Sequence, residues 1–431
     1  MTLRWARELI VACGLMLPFA TNTAKCQPVS PDPMTGADAR IERIRKGDMT
    51  IIVKDAAGRP VPNAAIIVTQ TSHEFLFGCA ALSLTKHSDA LKEAEYQKRF
   101  SELFNFATVL TYWQDTEPER GVFKYDLLTA QARRLKTMGI RVKGHPLILA
   151  GACPSWAPKD PDETRQLIHS RIADLVHRFE HEIDVWDVVG DVTTAAGAQN
   201  GIGAWARKAG SVPLTAEALI WARAANPAAL LLYNDYKLDS DYLNLIGGLQ
   251  RASAPPDVLG LEAHMIGSEW SLQKVWDTAE SFARLKRPLH FSEITVLSDD
   301  PSADHSRSWP STPEGERRQA DYVEKLYMLL FSHPAVEGIG WWNFVDGDWD
   351  RNPGGLLRSD LTPKPAYDRL VALIRHKWMT SAELKSGKNG TATLRGFAGR
   401  YRMIVRSGKR QATGEFAVRR GDSNQFVVTL P

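Results

Sequence analysis

Cysteine is scarce: four in 431 residues, at positions 13, 26, 79 and 153. If Cys13 leaves with a leader, Cys26, Cys79 and Cys153 remain, enough for one disulfide but not for a disulfide framework. No Cys/His spacing resembles a zinc site, so no metal is expected. Basic runs are also missing. None exceeds two Lys or Arg, and the net charge is only +3, which argues against nucleic-acid binding. No apolar stretch near the N-terminus is long enough for a bilayer: the run over residues 9–20 falls short of the roughly 20 residues a spanning helix needs. Global disorder is excluded by 44% hydrophobic and 24% charged residues.

What is present begins with an export pattern. Arg4 and Arg7 precede the apolar run, and small and polar residues follow up to Ala24. This predicts a signal peptide over residues 1–24 and a secreted or periplasmic protein with no membrane attachment after cleavage. Glu8 in the charged region weakens the export pattern slightly, and a retained anchor is the competing reading. Residues 25–47, with Pro28, Pro31, Pro33 and Gly36, read as a linker.

From Met49 the text alternates. Ile51 and Val53 lead to a turn at residues 55–58, and a second apolar stretch runs over 61–68. Two short strands are expected in segment 48–74. The rhythm then changes. Eight apolar runs, at 75–79, 104–110, 142–149, 183–191, 230–234, 258–264, 289–294 and 339–344, alternate with helical-period stretches such as 125–138, 163–179, 272–285 and 317–331. Eight βα units in this length predict a (β/α)₈ barrel over residues 75–378. An open doubly wound sheet is the alternative, but no glycine-rich phosphate loop follows the first strand. After Thr380, β character returns at 391–396, 401–405, 414–418 and 425–430. Two strands alone are marginal, so segments 48–74 and 379–431 are expected to build one small β-sandwich into which the barrel is inserted. Two unrelated β pieces flanking the barrel are the alternative.

Reactive groups in such a barrel sit at the C-terminal strand ends. Asp191, Glu262 and Glu293 end three different runs, in company with His145, Asn234, His264 and Trp342. Two carboxyls facing each other across a barrel mouth suffice to cleave a glycosidic bond: one protonates the leaving oxygen, the other attacks the anomeric carbon or activates water. A single acidic strand end is more often a structural ion pair. Three converging with Trp and His point to function. The 13 Trp residues suit stacking on sugar rings, with core packing as the competing use of each.

These motifs resemble glycoside hydrolase family 10, the retaining endo-β-1,4-xylanases, from about Phe77 to Tyr367. Trp113 through Pro118 followed by Gly121 and Phe123 resembles W-x-x-x-E-P … G-x-F. Gly144-His145 … Pro154-Ser155-Trp156 resembles G-H … P-S-W. Trp186 through Asp191 resembles W-D-V-V-N-E, which holds the acid/base. Tyr233 through Tyr236 matches Y-N-D-Y, Gly260 through His264 resembles G-I-Q-x-H, and Ser292-Glu293-Ile294 resembles T-E-L-D, which holds the nucleophile. Residues 342–346 resemble the stretch after the last strand. The flanking β segments resemble transthyretin-like or carboxypeptidase-regulatory-like domains.

The resemblance implies a cofactor-independent glycosidase acting on a xylan-like β-linked polysaccharide or its oligomers. Glu293 is the implied nucleophile and Asp191 the acid/base. His145, Asn234, Tyr236, His264, Trp342 and Trp113 are the implied sugar-binding residues. The departures are specific. Gly190-Asp191 replaces Asn-Glu, which shortens the acid by about one C–C bond, roughly 1.5 Å. Thr108, Val109 and Tyr112 stand where the family places Glu, Asn and Lys, and Leu149-Ala150 replaces Trp-His. Glu262 stands where the family has Gln, two residues before His264 and therefore on the same strand face. This motivates the hypothesis that Glu262 shares or takes the acid role; its alternative is a hydrogen bond to a neighbouring side chain. The competing function is a barrel that binds carbohydrate without hydrolysing it.

Overall fold

Alternation of Met49, Ile51 and Val53 with polar residues folds as expected into a strand, β1 (Lys46–Asp55). After the turn comes β2 (Ala65–His73). The computed structural model describes residues 32–300 and 309–431. The predicted signal peptide, with Cys13 and Cys26, lies outside them.

The eight apolar runs become β3 (Leu76–Ala80), β4 (Phe106–Leu110), β5 (Arg141–His145), β6 (Val185–Gly190), β7 (Leu230–Asp235), β8 (Val258–Met265), β9 (Leu289–Val296) and β10 (Val336–Trp341). They pair in parallel and in chain order, and β10 closes onto β3, so the sheet is a barrel. Helices follow where the 3.6-residue period predicted them, for example Asp126–Thr137 and Pro161–Arg178. Their apolar faces bury Leu128, Ala132 and Leu135, and Ile168, Ile172 and Leu175, against the outside of the strands. Among the described residues no helix is long and apolar enough to cross a membrane.

The C-terminal β segment forms β11 (Ser381–Lys385), β12 (Thr391–Phe397), β13 (Gly399–Ser407), β14 (Arg410–Val418) and β15 (Asn424–Leu430). Four of these answer the predicted runs; β11 adds a fifth. β1 pairs with β12 and β15, and β2 lies between β11 and β13, with β14 beyond. Both ends of the chain therefore build both sheets of one sandwich. Its core joins Met49, Ile51 and Val53 to Ile66, Val68, Met403 and Val405. β1 and β2 do not form a hairpin; they belong to different sheets.

The expected linker is corrected in part. Residues Ala37–Arg45 form a helix, and β1 follows directly at Lys46. Composition around Pro31 and Pro33 suggested a linker, but Ile41 reaches the barrel core, and Arg45 is buried and donates at 2.7 Å to the carbonyls of Phe331, His333 and Val336. Tertiary contacts, rather than local propensity, make this helix. Cys79 and Cys153 are free thiols, the first buried.

Candidate active site

Strand alternation loads the barrel interior. On β5, Lys143 and His145 share one strand face. The intervening Gly144 is dictated by packing, since a Cβ there would meet the Trp186 ring at 2.4 Å. The inward Asp187 of β6 accepts from His145 Nδ1 at 2.7 Å and has Lys143 Nζ at 3.5 Å. His145 Nδ1 also lies 3.4 Å from Glu293 Oε1. A buried series of ionisable side chains thus runs from Lys143 through Asp187 and His145 to Glu293.

Glu262 on β8 and Glu293 on β9 are register partners. Between them stands Asn234, from the end of β7. Its Nδ2 donates to Glu262 Oε1 at 2.7 Å and to Glu293 Oε1 at 2.6 Å, and its Oδ1 accepts from Ser292 Oγ. The two carboxylate oxygens therefore lie no farther apart than the two bonds end to end, about 5.3 Å. Gly260 makes room for this amide: a Cβ there would fall 2.4 Å from Asn234 Oδ1. The amide is wholly engaged with protein groups, so Asn234 sets carboxylate geometry.

His264 fixes the other oxygen of Glu293. Asn343 spends its Nδ2 on the Trp349 carbonyl and on Asn352 Oδ1, so its Oδ1 faces Thr295 and accepts from that hydroxyl at 3.3 Å. Thr295 Oγ1 has one proton, which is thereby used. It must accept from His264 Nδ1–H at 2.9 Å, and His264 Nε2 then faces Glu293 Oε2 at 3.1 Å. The ring stacks on Trp349 at 4.6 Å, while Trp342 presents itself edgewise to His145 and His264 at 5.3 and 5.7 Å.

The carboxyls are pushed apart electrostatically. Burial alone would raise Glu293, but His145, His264 and Lys143 outweigh it and hold Glu293 at about 2. Glu262 is driven well up by burial and by the charges of Glu293 and Asp191. Asp191 is raised to about 7 by burial, then by Asp235 and Glu293, and it hydrogen-bonds Glu262. Two carboxyls so joined hold a proton between them while their neighbour stays ionised, which is the division of labour of an acid and a nucleophile. Asp191 occupies the left-handed region at φ 55°, where a non-glycine residue is uncommon. Its backbone N–H donates to the Asn234 carbonyl at 3.1 Å.

Of the residues expected at the site, Glu293, Asp191, Glu262, His145, Asn234, His264 and Trp342 converge. Tyr236 does not join them: it is 52% exposed beyond the strand end. Trp113 is enclosed, with its Nε1 on Glu117 Oε2 at 2.8 Å and its ring edge-on to Trp156. It braces the loop rather than offering a face to sugar, because the family motif places its Glu117 partner four residues on. Tyr112 lies edgewise on His145 at 5.9 Å, in the position the family gives to Lys. Leu149 reaches within 3.4 Å of where a Gly190 Cβ would sit, so two of the departures fit each other. Asp187, inside the Trp186–Asp191 motif, is a strand-end candidate in the sequence; Lys143, Thr295, Asn343 and Trp349 were not predicted. Only Lys143 had a sequence signal, two residues before His145. Two triads, His145–Asp187–Glu293 and Glu262–His264–Glu293, bring potential metal ligands within 4.8 Å of one another. The hydrogen bonds above already engage an atom of each member.

A closed barrel with buried carboxyls of unequal acidity at the C-terminal mouth has the layout of a barrel glycoside hydrolase. Residues 68–373 match Glycosyl hydrolase family 10, and the chain belongs to that family. It is 26% identical over 408 residues to the anti-sigma-I factor RsgI6 of Acetivibrio thermocellus, covering 91% of this chain and 49% of that protein. It is 24% identical to endo-1,4-beta-xylanase B of Thermotoga neapolitana, covering 67% of this chain and 85% of the xylanase. The chain thus spans about half of the first relative. Among solved structures, native xylanase 10B from Thermotoga maritima shares the fold with a TM-score of 0.59 at 22% identity, over 70% of this chain and 96% of that one.

Proposed function

We propose that the protein hydrolyses a xylan-like β-linked polysaccharide or its oligomers with retention at the anomeric carbon. Glu293 is the nucleophile, and the Asp191–Glu262 pair supplies and recovers the proton. The observation that carries this is the single amide nitrogen of Asn234, which holds Glu262 and Glu293 with oxygens no more than about 5.3 Å apart. Retaining enzymes place their two carboxyls about 5–5.5 Å apart, and inverting ones about 6.5–9.5 Å.

In the first step Glu293 attacks the anomeric carbon, and the bond to the leaving oxygen breaks as that oxygen takes the proton of the carboxyl pair. An ester to Glu293 results. In the second step water attacks the same carbon, gives its proton to the pair, and releases Glu293 as a carboxylate. Tyr112, Leu149 and Gly190 stand where the family has groups that grip sugar, so the sugar contacts at those positions differ from those of the family. Export, on the pattern over residues 1–24, fits a polymeric substrate; a mature N-terminus just after Ala24 would test it.

A second reading is favoured by Gly190-Asp191 and by the similarity along 91% of this chain to a protein named an anti-sigma factor: a barrel that binds carbohydrate without hydrolysing it. An aryl β-xyloside with an activated leaving group separates the two, because it needs little acid assistance. A burst of aryl alcohol equal to the enzyme concentration is expected. Sugar binding with no release of aryl alcohol would instead establish the silent barrel.

A further inference from the structure

Opposite the carboxylate cluster, at the N-terminal ends of the barrel strands, lies a groove against the sandwich. It consists of two neighbouring cavities. One, of about 440 Å³, is lined by Ser72, Asn105, Arg141, Arg400 and Arg419. The other, of about 220 Å³, includes Arg45, Asp257, Glu337 and Arg420. They share His73, Glu74, Leu76 and Arg141.

The charges in this groove do not balance. Its acids fall short of its cations: Glu74 and Glu337 share Arg420, at 3.0 and 3.3 Å, which leaves one negative charge between them, and Asp257 pairs with Arg223. Arg45 is spent on three backbone carbonyls. The guanidiniums of Arg141, Arg400 and Arg419 have no hydrogen-bond or ionic partner among the described residues. Elsewhere on the same sandwich, Arg395 pairs with Asp48 at 2.9 Å and with Glu42 at 3.3 Å. The fold places the backbones of Arg141 and Arg400 at the groove. Arg141 opens β5 at the barrel base. Gly399 lets β13 approach β2 so closely that a Cβ would fall 2.0 Å from the Ser72 carbonyl, and this sets Arg400 at the groove wall. Like charges gathered with too little counter-charge repel one another, and a guanidinium fork is shaped for a planar oxyanion.

We propose that this groove binds a ligand carrying two or more oxyanion groups, such as the carboxylates of an acidic oligosaccharide, at a site separate from the catalytic mouth. The site does not depend on the glycosidase reading, since binding is measured without turnover. Calorimetric titration of the full chain at low ionic strength tests it, with trigalacturonate in one arm and inorganic triphosphate in the other. Saturable binding in at least one arm is expected, and the arm that binds identifies the oxyanion. Affinity should fall with added salt and drop roughly tenfold or more in Arg400→Gln and in Arg419→Gln. Arg395→Gln removes the same unit of charge outside the groove and should stay within about twofold of the parent, as an exposed pair contributes little. The absence of saturable binding in both arms, or an equal loss in Arg395→Gln, would overturn the proposal. Aryl alcohol release by Arg400→Gln should match the parent, which shows that the variant is folded.

Discussion

Glu262 and Glu293 face each other on adjacent strands, paired in register and joined through the amide nitrogen of Asn234. The pair has one member held far below the usual carboxylate range and one far above it. The predictions about activity follow from that asymmetry.

Replacing Glu293, the proposed nucleophile, is the most direct. Glu293→Gln keeps the shape and the Asn234 contact but cannot form the ester. Release from even an activated aryl xyloside should fall on the order of 10⁴-fold. A residual rate within tenfold of the parent would remove Glu293 from the chemistry.

Glu262→Gln separates acid catalysis from structure. On an unactivated xylo-oligosaccharide the rate should drop about 10²–10⁴-fold, while the burst on the activated aryl glycoside is largely kept. Asp191→Asn should give the same split if the two carboxyls share the proton. Equal rates for Glu262→Gln and the parent on the unactivated substrate would leave Asp191 as the sole acid.

The pH dependence has a definite sign. Activity needs Glu293 ionised and a proton on the acid pair, so kcat/KM should be bell-shaped, with limbs set by Glu293 at about 2 and Asp191 at about 7. Stability follows the same groups. Asp191 is raised from 3.8 to about 7, so the folded state binds a proton that the unfolded chain loses first. Its contribution is full below pH 3.8 and is lost as pH rises through about 7. The melting temperature should therefore fall as pH rises from about 4 to about 7, and Asp191→Asn should flatten that decline. A decline of the same slope in Asp191→Asn would contradict the assignment.

Lys143 is buried with Asp187 as its ion-pair partner, so Lys143→Met leaves that buried carboxylate with only its His145 contact. Denaturant unfolding should show a loss of about 3–5 kcal/mol. Because Lys143 also helps hold Glu293 down, the acid limb of the activity profile should move to higher pH. An unmoved limb would confine Lys143 to a structural role.

Arg45 tests the helix that composition concealed. Arg45→Met leaves the carbonyls of Phe331, His333 and Val336 without their donor and should cost roughly 2–3 kcal/mol in chemical denaturation. An unchanged transition midpoint would show that water replaces the guanidinium at no cost.

The barrel was legible because its rule is local and repeated: short apolar runs separated by amphipathic helices leave few ways to close. Glu293, His145 and His264 were legible because they end such runs inside recognisable motifs. The helix Ala37–Arg45 was not, since its support comes from carbonyls almost 300 residues away. Trp113 misled because a motif fixes position and not exposure. Thr295 and Asn343 gave no signal, as a hydroxyl and an amide acquire a role only when another strand brings a histidine to them.

The sequence by itself determined the order of elements, the place of Glu293 at a strand end and the departures from the family at Gly190, Asp191 and Glu262. Only the tertiary structure decided what those departures mean. A carboxyl's acidity depends on the charges packed within a few ångströms of it. Lys143 and His145 reach Glu293 from β5 and His264 reaches it from β8, while Asp191 reaches Glu262 from the end of β6.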